Sequence, residues 1–135
     1  MAWMLLMSLA VTACATAHRP VAFVPGLEAS WFKFPDDLPV EGQVKVPSTL
    51  AAAIQLAVED FVPWDSKPPW GADTFDECAA QQASYDVSAV QGTGGIVFVS
   101  ISLSPGACGR YRWVMDLGAV YAVDVRNQRI LAIKH

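Results

Sequence analysis

A chain of 135 residues, 53% hydrophobic and 16% charged, has the composition of a folded globular domain rather than a disordered segment. Nine Lys and Arg against thirteen Asp and Glu give a formal charge of −4, and the basic residues are scattered, with only Arg110, Arg112, Arg126 and Arg129 near one another. This argues against nucleic acid, because phosphate binding draws on clustered cations, and the length fits one self-sufficient domain.

The chain opens with an uncharged apolar run, Trp3-Met4-Leu5-Leu6-Met7-Ser8-Leu9-Ala10-Val11, ending in Val11-Thr12-Ala13-Cys14. The run has the length of a secretory h-region and is shorter than the roughly 20 residues a helix needs to cross a bilayer. Small residues just ahead of a cysteine resemble the lipobox of bacterial lipoproteins, with Val11 where that family commonly has Leu and no Lys or Arg before the run. The resemblance implies that residues 1–13 are a signal peptide, that Cys14 becomes a lipidated membrane anchor, and that the domain belongs to the cell envelope. By the same resemblance, Ala15 after the cysteine implies the outer membrane. A buried N-terminal helix is the alternative reading of the run. Residues 14–25, with Pro20 and Pro25, form the lipidated cysteine and a short tether, leaving residues 26–135 as a single α+β domain.

Leu27–Phe34 and the alternating Gln43-Val44-Lys45-Val46 are expected to be short strands, separated by the loop Pro35-Asp36-Asp37-Leu38-Pro39. Pro47 ends the second, and Ser48 or Thr49 caps a helix over about 48–61. Leu50, Ile54, Ala57, Val58 and Phe61 fall on one apolar stripe of that helix, and Pro63 stops it.

Pro63 to Glu77 carries three prolines, two tryptophans and four acids with no regular period, and reads as a long ordered loop. Trp64 and Trp70, with Phe75, are the candidate binding residues, since indoles offer broad apolar faces with a donor at the edge. Covering the open end of the core is the other use that fits the two tryptophans. Asp73, Asp76 and Glu77 lack the glycine and spacing of a calcium loop and read as a solvated acidic turn.

With Cys14 assigned to lipid, Cys78 and Cys108 remain. In an oxidising envelope compartment an even pair implies a disulfide, whereas without secretion two separate buried thiols are expected. Neither has a CxxC partner or a nearby His, so neither metal binding nor thiol redox chemistry is expected.

From about residue 82 to 134 the period is that of strands. Tyr85, Val87 and Ala89 alternate with Asp86 and Ser88; Gln91–Gly95 makes a hairpin loop; Val97, Val99, Ile101 and Leu103 share one face of the next strand. A third strand carries Tyr121, Val123 and Val125, and after a turn near Asn127 a fourth carries Leu131 and Ile133. One helix on an antiparallel four-stranded meander, read with Tyr121-Ala122-Val123-Asp124-Val125-Arg126-Asn127-Gln128-Arg129-Ile130-Leu131, resembles PepSY-type and cystatin-like domains, with Gln128 where the PepSY hairpin has Gly. The resemblance implies a non-catalytic domain of the inhibitory or partner-binding kind and supplies no catalytic residues.

An enzyme is not expected. His18 lies in the tether and His135 is the last residue, and there is no nucleophile elbow, zinc helix or phosphate loop. Asp65 and Asp116 are a carboxylate pair of the type that works on sugars, but nothing in the sequence brings them together. The expectation is therefore a non-catalytic, cofactor-free envelope domain that binds a protein, peptide or glycan through the Trp64–Phe75 loop and the exposed end of the meander. A scaffolding lipoprotein with all its aromatics in the core is the alternative.

Overall fold

The computed structural model describes residues 31–109 and 117–135. The chain divides into two units, Met1–Lys33 and Phe34–His135, and the second carries every helix and strand among the described residues. The lipobox, Cys14, His18, Arg110, Arg112 and Asp116 lie outside the described residues, as does the first half of the expected strand Leu27–Phe34.

Helix α1 spans Ser48–Phe61. Its N-cap is Pro47, with φ −57° and ψ 142° and no side-chain cap bond, so neither Ser48 nor Thr49 caps it; the proline ring sets the entry instead. At the other end the Val62 N–H donates to the Val58 carbonyl, and Pro63 cannot extend the ladder. The centre of the buried stripe is the pair Ala53 and Ala57, both fully buried, flanked by half-buried Leu50, Ile54, Leu56, Val58 and Phe61. Methyl side chains four residues apart bring the helix backbone close against the sheet.

A short helix, α2 (Thr74–Ala79), leads through a helical turn at Gln82–Ser84 into β1 (Tyr85–Gln91), β2 (Ile96–Leu103), β3 (Gly118–Asp124) and β4 (Arg129–Lys134). The strands pair antiparallel in the order β1-β2-β3-β4, so the expected α+β meander is the observed architecture. The expected faces of β2 hold: Val97, Val99 and Ile101 are buried with Ala119, Tyr121 and Val123 of β3, and α1 packs over them.

Four elements depart from expectation. Trp31–Phe34 and Gln43–Val46 form no strand; Val44 and Val46 are exposed, because alternation specifies which side chains share a face but supplies no partner edge. Val125 begins the turn rather than ending β3. In β4 the register shifts: Tyr121 pairs with Ile133 and Ala122 with Ala132, but Val123 pairs with Ile130, leaving Leu131 as the extra residue of a bulge. Ile130 and Ile133, not Leu131 and Ile133, therefore share the inner face.

Tyr121, 2% exposed at the centre of the core, donates its hydroxyl to Asp60 Oδ2 at 3.1 Å. Burial, the bond to Asp60 and the negative charge of Asp60 push its pKa up to about 12, and burial also raises that of Tyr85. A phenol held protonated in the fold but free to ionise at about pH 10 when unfolded gives stability that is intact below pH 10 and lost between about pH 10 and 12. Tyr121→Phe is expected to cost about 1 kcal/mol at pH 7 through the lost hydrogen bond and to flatten that alkaline loss, as read from urea unfolding at a series of pH values.

Candidate functional site

Two tight turns follow α1, each opening with Pro-Trp. In the first, the Ser66 N–H donates to the Pro63 carbonyl at 2.9 Å; in the second, the Ala72 N–H donates to the Pro69 carbonyl at 3.0 Å. Proline at the first position of each turn leaves the tryptophan at the second, on the outside of the bend. Gly71, at φ 79°, completes the second turn with a conformation that a side chain resists. Trp70 is fully exposed and Trp64 is 36% exposed. The indoles make no ring contact with each other or with another described ring, so they are displayed separately rather than stacked as one platform. The repeat of Pro-Trp six residues apart is the sequence signal for this arrangement.

Phe75 does not stand with them in the open; it is half-buried in the first turn of α2. That helix corrects the reading of Asp73–Glu77 as a solvated turn. Asp73 is its N-cap, accepting from the N–H groups of Phe75 and Asp76 at 2.9 Å each, while Asp76 accepts from the Asp73 N–H at 3.3 Å. The two carboxylates thus close a capping box, and Asp76 and Glu77 lie at the positive end of the helix. Among the described residues no group of three or more His, Cys, Asp and Glu is placed to hold a metal ion.

The tryptophan turns are fastened at both ends. At the start, Gln82 donates through Nε2 to the Val62 carbonyl at 2.8 Å. At the other end, Cys78 in the last turn of α2 is bonded to Cys108, with Cα atoms 5.5 Å apart, so α2 is tied to the link that follows β2. Ser84, buried below the bridge, donates to the Cys78 carbonyl at 2.6 Å.

The outer face of the meander is the second exposed surface. Val90, Phe98 and Val120 are exposed there at 62%, 43% and 41%. Phe98 lies over Gly92, whose missing side chain leaves the ring its seat: a Cβ there would stand 2.8 Å from Phe98 Cε2. Where β2 ends and β3 begins, an open groove of about 460 Å³ is lined by Ser100, Ser102, Gly118, Val120 and Lys134 among others. No family model, curated protein or solved structure matches the chain. The groove arises because Gly118 puts no side chain beside Ser102, a cross-strand relation that the spacing of either residue in sequence does not reveal.

The turn joining β3 to β4 is held by Asp124. Its carboxylate accepts from Asn127 Nδ2 at 2.7 Å, from the Asn127 N–H at 3.2 Å and from Arg129 Nε at 3.1 Å. These partners, Asn127 first and then Arg129, hold the Asp124 carboxyl below the usual carboxylate range. Gln128 closes the turn at φ 50°, the left-handed region. Gln128→Gly is expected to raise stability by about 0.5 kcal/mol, the released strain exceeding glycine's greater unfolded-state entropy; the shift in thermal midpoint checks it.

Proposed function

We propose that this chain is a non-catalytic envelope domain, anchored by lipid at Cys14, that recognises a protein, peptide or glycan through Trp64 and Trp70 and the apolar end of the outer sheet face. The observation that carries the reading is the full exposure of Trp70 at the outside of an ordered turn. A large aromatic with no core role and a fixed backbone loses little entropy when it docks, which is what a binding anchor needs. A scaffolding protein would instead bury its indoles. The Cys78–Cys108 bond supports an oxidising compartment, in keeping with export.

Two measurements test the proposal. Intact mass of the membrane-extracted protein should equal Cys14–His135 plus acyl chains, with Cys78 and Cys108 alkylated only after reduction; a full-length, unlipidated mass overturns the anchor. A photoreactive phenylalanine analogue at position 70 should give a discrete crosslinked species in cells, weakened by Trp64→Ala, while the same analogue at exposed Gln55 on α1 should not. Equal adducts from both positions, or none from either, overturn recognition through the tryptophan turns. Trp70→Ala should change folding stability by no more than about 0.5 kcal/mol, so any loss of the adduct's partner is a loss of binding.

A further inference from the structure

The meander has two outer strands, and they are unlike. β4 carries devices that discourage pairing: the bulge at Leu131, the Arg129–Asp124 ion pair at 3.1 Å and Lys134. β1 has none. Its seven residues, Tyr-Asp-Val-Ser-Ala-Val-Gln, pair with β2 in unbroken register and contain no proline, lysine or arginine.

The direction of its backbone groups follows from the ladder. The Ser104 N–H donates to the Ser84 carbonyl and the Gly92 N–H to the Ile96 carbonyl, so the even-numbered residues between them turn their N–H and C=O groups toward β2. The odd-numbered residues Val87, Ala89 and Gln91 turn theirs to the open edge. Among the described residues nothing bonds to those groups. The same chain holds the converse, a strand pattern with no sheet. Gln43–Val46 alternates, Val44 is 84% and Val46 51% exposed, and the Gln43 N–H only turns back to the Val40 carbonyl at 3.3 Å.

We infer that the β1 edge receives Gln43–Val46 of a second copy of this chain as an added antiparallel strand. With Lys45 opposite Asp86, Val44 falls beside Val87 and Val46 beside Tyr85 on the inner face, where both valines leave water. Lys45 meets Asp86, and Gln43 meets Ser88, on the outer face. Pro47, which has no N–H to offer a ladder, ends the strand where pairing stops. A second copy is favoured over the same chain because only Pro47 separates the segment from α1, and α1 is seated on the sheet through Ala53 and Ala57. Phe61, at the far end of that 14-residue helix, packs edge-on against Tyr85 with ring centroids 5.1 Å apart, which leaves Pro47 about 20 Å along the helix from the place beside Tyr85 that Val46 would take. Reciprocal donation closes a two-fold dimer in which each contact occurs twice.

Sedimentation equilibrium of the full chain in density-matched nonionic detergent tests this. A concentration-dependent monomer–dimer equilibrium is expected. Val44→Lys, at a position exposed in the monomer, should abolish the dimer and leave circular dichroism unchanged. Lys45→Asp or Asp86→Lys should each weaken it about ten-fold, since the pair occurs twice per dimer, and the double exchange should restore it. A monomer at every concentration overturns the inference. So does a dimer indifferent to these substitutions, or a monomer in which Lys45 and Asp86 show coupled effects on unfolding, which would place the strand on its own sheet.

Discussion

Replacing Cys78 and Cys108 together with alanine is expected to lower the free energy of unfolding by about 3 to 4 kcal/mol. The bond spans 30 residues of sequence, and closing a loop of that size removes this much chain entropy from the unfolded state. Against a total of about 5–15 kcal/mol for a domain of ordinary stability, that is at least about a fifth of what holds the fold. The effect should appear as a lower urea midpoint for the double variant, and equally for the native chain kept reduced. A loss below about 1 kcal/mol would mean that the unfolded chain keeps the two segments together without the bond. The local consequence is larger still, because α2 is only six residues long, makes its own capping box, and buries none of its residues. Without the bridge it has little to hold it, and the tryptophan turns before it would lose one of their two fastenings.

Gly118→Ala is expected to cost about 2 kcal/mol, a large effect for one methyl group. A Cβ on Gly118 would stand 2.7 Å from the carbonyl oxygen of Ile101 and 3.6 Å from the Ser102 Cα. Neither obstacle is a side chain that can swing aside; both are backbone in the central ladder, and Ile101 is itself 2% exposed. The strands must separate locally, and overpacking of this kind costs roughly 1–3 kcal/mol. Ser102→Ala, across the ladder on the exposed face, should stay within about 0.5 kcal/mol and serves as the comparison in the same denaturant series. A neutral Gly118→Ala would show that the β2–β3 spacing relaxes at its open end.

The helix and the meander are legible in the sequence because their periods are long and uncontested. Leu50 to Phe61 repeats at helical spacing between two prolines, and Val97, Val99 and Ile101 alternate with Phe98 and Ser100 over a full strand. The hairpin glycines then leave β1 and β2 no other partner, and their register brings Cys78 and Cys108 to the same end of the sheet. What is not legible depends on contacts across the fold. Ile130, Leu131 and Ile133 are all apolar, so composition cannot choose which pair faces inward; the bulge decides it. Asp73 and Asp76 carry the spacing of a capping box, but in an acid-rich stretch without an apolar stripe that signal is outweighed by the absence of period. Gln43–Val46 has the alternation of a strand and none of the partners within reach that make one. Of the candidate binding residues, Trp64 and Trp70 are displayed where the Pro-Trp turns put them, whereas Phe75 is drawn inward by a helix too short to show a period.

The alanine seam of α1 bears on how the domain opens. Ala53 and Ala57 fill almost none of the core volume themselves; Tyr121, Ile101, Val97, Val99 and Val123 supply it from the sheet, and α1 is the principal described element lying over them. Lifting the helix would wet that whole layer at once, so there is no partly opened state in which α1 is loose and the sheet remains dry. In amide hydrogen exchange, α1 should then share the slowest class with β2 and β3 and report the same opening free energy. The amides of α2 and of β4 beyond its bulge should exchange earlier, through smaller fluctuations that leave the seam closed.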